Sequence, residues 1–374
     1  MTEAPSKTRA ATADDKQPSH ARLLVLDGLR GVAAFGVIND HVASATIRAL
    51  SPGRYLAVDF FWVLSGFVLA LAYDDRLKRG GQGVSFMRLR LIRFYPLYLL
   101  GLVIGGTTML YGAIHGWGLV TWPTVAMASV FALLFVPCPP LAPGFFQHLF
   151  PLNGPTYSLF YELVVNAVYG FFAPLLSTRV LVWLVAIFGV LVAAIVPLHL
   201  PGAGWRWPDI DAGLVRLFYC FFMGVILFRL RDRIRIPALP PWVAVVVYVV
   251  IIGMPVPDAW RSWYNVAVIL FAMPLLVASA SRSKVSGVSA RIFALMGLLS
   301  YGVYVLHVPL LGIIQLGLSH FGVQLPGVWM VAVVSIAAGA LAWIANYAWD
   351  IPVRRWLTAA SNRRDRRIAG EQPG

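Results

Sequence analysis

Charge is scarce in this chain. Only 12% of its 374 residues are Asp, Glu, Lys or Arg, about half the share that keeps a soluble domain in water. That shortage excludes an ordinary water-facing globule. Cysteine is nearly absent as well: Cys138 and Cys220 could make at most one bridge, and neither stands in a metal-ligand spacing. A disulfide framework and a cysteine metal site are both excluded. No repeat of 20–50 residues is visible, which excludes a solenoid or propeller, and no polar stretch is long enough for a second soluble domain. What the chain has instead is 59% hydrophobic residues, 13 Trp and long apolar runs.

A helix that crosses a bilayer needs about 20 such residues. Runs at 23–46, 55–73, 93–114, 157–176, 179–198, 213–228, 241–254, 263–279, 292–316 and 328–350 predict about ten transmembrane helices. The fold class expected is therefore all-α, a polytopic membrane helix bundle. A further apolar stretch at 120–136 reads as one partial or re-entrant element. It is followed by Pro137, Pro139, Pro140, Pro143, Pro151 and Pro155, and irregular backbone at membrane depth is tolerated where protein or a wet cavity covers it.

Acidic residues are the rarer charge, 16 against 30 Lys and Arg, for a net charge of +14. The basic residues do not form a nucleic-acid face, because most fall in patches at span ends: Lys7–Arg22, Arg76–Arg93, Arg229–Arg235, Arg282–Arg291 and Arg354–Arg367. Such patches mark cytoplasmic loops and favour anionic membrane lipids as partners. They place both termini in the cytoplasm, so the number of crossings is even, as with ten. Residues 1–21 read as a disordered cytoplasmic tail, 22–355 as the membrane domain and 356–374 as a basic cytoplasmic tail. Ala43-Ser44-Ala45 imitates a signal cleavage site, but Asp27, Arg30, Asp40 and His41 interrupt the apolar core that a signal requires.

Ionisable residues inside apolar spans are costly and tend to mark a pathway or a reaction centre. Arg30 and His41 are eleven residues apart, almost three helical turns, so they share one face about 16 Å apart along the axis. With the N-terminus inside, Arg30 belongs to the inner half and His41 to the outer half. Counting residues along their spans puts Asp59, Glu162 and His307 at a depth similar to His41. Arg88, Arg90 and Arg93 belong to the inner side. Duller roles stand beside these. Asp27 and Arg30 at i, i+3 can neutralise one another, and His41 with Asp59 can be a structural pair. A proton-coupled transporter or flippase-like protein would also carry such residues, but it would usually show internal repeats and broken helices in matching halves, which are not visible.

Five elements in order resemble the integral-membrane acyltransferase-3 family. They are LDGLRG with Arg30 and His41, VDFFWVLSGFVL with Asp59, RLRLIRFYPLY with Arg90 and Arg93, TYSLFYE with Glu162, and GLLSYGVYVLHVPLL with His307. Tyr157 stands where the family pattern has Trp. The resemblance covers about residues 22–355. It implies an O-acyltransferase of a bacterial inner membrane that moves an acyl group, often acetyl, from cytoplasmic acyl-CoA to a hydroxyl of a surface or envelope glycan, or of a lipid-linked sugar.

On that reading acyl-CoA is a co-substrate, and no bound cofactor, no metal and no nucleic acid is expected. Arg30, Arg88, Arg90 and Arg93 would take the phosphates of the donor, since guanidinium groups stay charged and offer several donors. His41 would be the general base, oriented by Asp59 or Glu162. His307, Tyr157 and Ser158 would contact the acceptor or the oxyanion.

Overall fold

The computed structural model describes residues 24–42, 44–140 and 147–368, with side chains as far as residue 363. The N-terminal tail expected at 1–21 lies outside the described residues. Among these the chain is helical with no strand; a single β-bridge pairs His148 with Arg206.

The helices in chain order are α1 (Leu24–Gly36), α2 (Ile38–His41), α3 (Ala45–Leu50), α4 (Ala57–Lys78), α5 (Gly83–Ile114), α6 (Trp122–Leu133), α7 (Thr156–Phe172) and α8 (Thr178–Ile195). They continue with α9 (Ile210–Leu230), α10 (Pro241–Gly253), α11 (Asp258–Ala267), α12 (Met273–Ala280), α13 (Gly287–His320), α14 (Gly327–Ala345) and α15 (Ile351–Ile368). A π-helical turn, Val268–Ala272, joins α11 to α12, and another, Asn346–Asp350, joins α14 to α15. Among the described residues seven helical segments are long and apolar enough to cross a membrane. The chain is a multi-pass membrane protein.

The other three expected spans are shorter helices: 23–46 is divided into α1, α2 and α3, 157–176 is α7 of 17 residues, and 241–254 is α10 of 13. The first is not one helix over 23–46. It breaks at Val37, whose carbonyl accepts from the Asp40 N–H at 2.9 Å, and it ends at Val42 in extended backbone. The stretch at 120–136 forms α6, of 12 residues and about 18 Å, too short to cross. A capping box of Thr121 and Thr124 starts it. Of the tail expected at 356–374, residues 356–368 are helical and continue α15.

Close approach of helices is what assembles the bundle, since lipid tails give apolar side chains little reason to leave them. α4 lies along α9. A Cβ on Gly66 would stand 2.0 Å from the Phe221 carbonyl oxygen, and one on Gly224 would stand 2.1 Å from that of Val63. α1 lies along α13 in the same way, with Gly31 against the backbone of Met296. That contact brings Arg30, one residue earlier, onto α13. In contrast α8 shows large apolar side chains such as Trp183 and Val190 on its outer face, as a lipid-facing helix should.

Pro309, inside α13, cannot donate to the carbonyl of Val305 four residues back. Asn153 Nδ2 takes that carbonyl at 2.9 Å. The Pro-rich segment before α7 is thereby tied into the bundle: Leu149, Phe150, Pro151, Leu152 and Asn153 are all buried. Helix α7 consequently starts deep inside rather than at a membrane surface.

Candidate active site

Three cavities follow one another through the bundle, and neighbouring cavities share wall residues. A mouth of about 650 Å³ lies between α5 and α15, with Tyr73, Arg90, Arg93, Arg354 and Arg355 in its wall. A narrower chamber of about 150 Å³ follows, and Arg90 and Arg93 line it too, together with Arg30, Ser65, Glu162 and Ser300. Beyond it lies a cavity of about 770 Å³ with His41, Tyr55, Tyr157 and Trp205 in its wall; Tyr304 is common to this cavity and the chamber.

Four helices measure the same order. Along α13, Ser300 and Tyr301 line the chamber, Tyr304 lines both spaces and Val308 lines the large cavity. Along the first helical stretch Arg30 faces the chamber, while Val37 and His41 face the large cavity. Helix α4 begins beside the large cavity at Val58, passes the chamber at Ser65 and reaches the mouth at Tyr73. Helix α5 runs from Leu89 at the mouth to Met109 at the large cavity. The cavities therefore form a path across the bundle. It leads from a mouth walled, among the described residues, by four arginines and no acid to a large cavity where His41 and His148 stand with Arg48, Arg54, Arg261, Asp40 and Asp258.

The expected stripe survives the break at Val37, because Arg30 and His41 face successive spaces on that path. Arg30 pairs with Asp27 at 3.0 Å, and its other donors reach Ser300 Oγ at 2.9 Å and the Gly297 carbonyl at 3.0 Å. Arg90 donates to Glu162 at 2.7 Å, and Ser65 Oγ donates to the same carboxylate oxygen at 2.6 Å. Arg93 stands 3.7 Å from Asp350 and over the Tyr301 ring. Arg88, also expected at the donor, instead donates to Ser361 on α15 at 2.9 Å.

His41 meets His307. The two rings are 3.2 Å apart, His41 Nδ1 to His307 Nε2, and His307 is 0% exposed. A carbonyl only accepts, so the 3.0 Å contact of His307 Nδ1 with the Val303 carbonyl puts the proton on that nitrogen. In the neutral ring His307 Nε2 is then the acceptor, and His41 Nδ1–H donates to it, with the Val37 carbonyl sharing that proton at 3.2 Å. The lone pair of His41 is left on Nε2.

The expected carboxylate partners of His41 are elsewhere. Asp59 is 0% exposed and receives two bonds from Arg216 of α9, at 2.8 and 2.6 Å. It has the expected depth, but its neighbour Val58 takes the cavity face, and the next residue points about 100° round the helix. Glu162 is level with the arginines instead of the histidines. Its depth was counted from a helix start at a membrane surface, whereas α7 starts deep. Ser158 is a wall residue: its Oγ is 2.5 Å from the Tyr304 hydroxyl and donates to the Pro155 carbonyl at 2.9 Å. Tyr157 lines the large cavity.

Several residues of this site escaped sequence reasoning. Arg216 interrupts the apolar run 213–228 and was a visible signal for a buried pair. Asp350 and Arg354, at i, i+4, form an ion pair of 2.5 Å at the mouth. Ser300 and Tyr304 gave no signal of their own, since hydroxyls in apolar spans are common.

A family described as an acyltransferase domain matches residues 23–347. The chain is 38% identical over 163 residues to "Protein 2 in picA locus" of Rhizobium radiobacter, an alignment that covers 40% of this chain and 81% of that protein. It is also 34% identical over 100 residues to "Acyltransferase MdmB" of Streptomyces mycarofaciens, covering 24% of each. No solved structure matches.

Proposed function

This chain belongs to that membrane acyltransferase family, and from this premise we propose that it carries an acyl group, in the first instance acetyl, from a coenzyme A thioester at the arginine end to a sugar hydroxyl at the histidine end. That it is an acyltransferase, of the kind that transfers groups other than amino-acyl, follows from the family. The single observation that supports the finer reading is the path of three cavities. Among the described residues arginines and no carboxylate line the mouth, and in the large cavity His41 stands beside a mixed wall of Arg48, Arg54, Arg261, Asp40 and Asp258. With the basic patches taken as cytoplasmic, the donor enters from a bacterial cytoplasm and the acceptor sits on the far side of the inner membrane.

The nucleotide end of the donor is held at the mouth by Arg90 and Arg93, and its slim thioester arm passes Arg30 in the chamber toward Tyr304. Glu162 and Ser65 fix the Arg90 guanidinium. Their role is to position the cation; general-base chemistry is left to the histidines. In the large cavity the acceptor hydroxyl meets His41 Nε2, which removes its proton as the oxygen attacks the thioester carbonyl. The Tyr304 hydroxyl, on the boundary between the two spaces and bonded to Ser158 in the structure, turns its one proton from that bond to the oxygen that becomes negative. The C–S bond then breaks, and the coenzyme A thiolate takes up the proton held by His41. His307 keeps His41 in the tautomer that presents Nε2, the part an aspartate plays in a serine-protease triad. Aromatic side chains, Tyr55, Tyr157 and Trp205, give the large cavity flat apolar faces suited to a sugar ring.

Purified protein in liposomes, supplied with acetyl-labelled coenzyme A on one side and a crude envelope glycan fraction on the other, tests this. Label on the glycan with release of free thiol is expected. Thioester that stays intact across all acceptor fractions overturns it.

A further inference from the structure

We propose that α15 forms half of the donor site, its Arg354 and Arg355 closing with Arg90 and Arg93 around the phosphates of the nucleotide. This rests on the donor reading above, but it concerns a helix beyond the residues matched by the family, 23–347. The cavity at the mouth has about 650 Å³, within the range of sites that enclose a small-molecule ligand. Residues 354, 355, 358, 359 and 362 of α15 line it, a spacing that is one face of a helix. The opposite wall is the start of α5.

The charge in that wall is of one sign. Four guanidinium groups line the cavity, and no Asp or Glu among the described residues does. Two carboxylates stand behind them: Glu162 on Arg90, and Asp350 between Arg93 and Arg354. Two positive charges are left over for a ligand, so the space suits a polyanion. Asp350 does more than offset charge. It closes the π-helical turn Asn346–Asp350 and is 0% exposed, with Arg354 at 2.5 Å and Arg93 at 3.7 Å. One buried carboxylate thus aims an arginine from each wall into the same cavity. Trp349 locks the same junction, its indole N–H donating to the Pro96 carbonyl of α5 at 2.8 Å.

The chemistry recognised is a cluster of phosphate oxygens, which could belong to a coenzyme A nucleotide or to anionic lipid headgroups at the membrane surface. Binding of coenzyme A itself to the full-length protein in neutral-lipid nanodiscs separates them. Arg355→Gln should weaken coenzyme A binding about tenfold to a hundredfold, the range for losing one charge-assisted hydrogen bond, and Arg354→Gln with Arg355→Gln should weaken it further. The corresponding rise in KM should appear with acetyl-CoA and be far smaller with S-acetylpantetheine, which lacks the nucleotide. Arg354→Lys with Arg355→Lys should keep part of the affinity that the glutamine pair loses. Equal coenzyme A affinity in wild type and Arg355→Gln would overturn the proposal, as would equal losses for both thioesters, which mean a structural role. A change in coenzyme A affinity seen only when anionic lipid is added would also overturn it, assigning the cavity to lipid. If coenzyme A binds in an α15-dependent way but no acyl group moves, the transfer reading fails and the α15 site stands.

Discussion

Asp59 separates a structural role from a catalytic one, and the structure predicts how. Its carboxylate accepts two of the three bonds made by the Arg216 guanidinium; the third goes to the Ala203 carbonyl. Both side chains are sealed from solvent, at 0% and 4% exposure. Asp59→Ala removes two charge-assisted bonds, each worth about 1.5–3 kcal/mol, and strands a buried cation. The measured range for breaking a buried pair from one side is about 3–5 kcal/mol, so that is the loss expected for Asp59→Ala and for Arg216→Met alone. Replacing both with apolar residues, Asp59→Leu with Arg216→Met, removes the stranded charge, and such swaps are often neutral or better. Here the Ala203 carbonyl loses its partner, which costs about 1–3 kcal/mol. The double variant should therefore be more stable than either single one. SDS unfolding in mixed micelles measures all four proteins, and acyl transfer is assayed on those that fold. An Asp59→Ala protein of normal stability and no activity would refute this reasoning and return Asp59 to the chemistry. A double variant less stable than both singles would refute it as well.

His41→Ala should lower turnover about 10²- to 10⁴-fold, the usual worth of general-base assistance, while direct binding of coenzyme A stays close to normal. His307→Ala should lower kcat by up to about 10⁴-fold, as when a base is left in the wrong tautomer, and His307→Gln, which can still accept from His41 Nδ1–H, should retain more; equal losses would remove His307 from its positioning role. His148, in the segment after the Pro-rich stretch, has its pKa pushed down to about 4 by burial and then by Arg206. Between an unfolded value of about 6.5 and that folded value the native state binds fewer protons, so its contribution to stability falls as pH falls through this window. His148 is in the wall of the large cavity, so His148→Gln is read by the shape of the activity profile from pH 5 to 8, which should not change, and it should blunt the acid loss of stability. Ser286→Cys, just before α13, should resist an impermeant thiol reagent in intact cells, and Ser319→Cys at the other end of that helix should react; the reverse pattern inverts the orientation.

Local pattern carried much of this chain into view. Apolar runs of bilayer length need no partner to become helices, because each backbone group is satisfied within its own segment. Helices therefore stand along the runs, though the first run is broken at Val37 and 241–254 forms a helix of only 13 residues, and α6 has the partial length expected of 120–136. Arg30 and His41 were legible as one stripe because helical spacing is a local property that a single turn at Val37 perturbs little. The chemistry of the family was legible in the same way, from short motifs in order.

Pairing was not legible. Sequence depth put Asp59 and Glu162 near His41, but which charge meets which depends on helix rotation and on where a helix begins in space. Asp59 turned to Arg216 because Gly66 and Gly224 let α4 and α9 approach closely. Glu162 went to Arg90 because Asn153, bonded to a carbonyl that Pro309 had freed, drew the start of α7 into the interior. His307 came to His41 through the packing of α1 on α13, two helices joined by Gly31 and far apart in the chain. The sequence by itself determined the helices, the membrane and the residue types of the site. Only tertiary structure decided its partners, because a buried charge is satisfied by whichever group packing brings within hydrogen-bond distance, and sequence separation has no say in that distance.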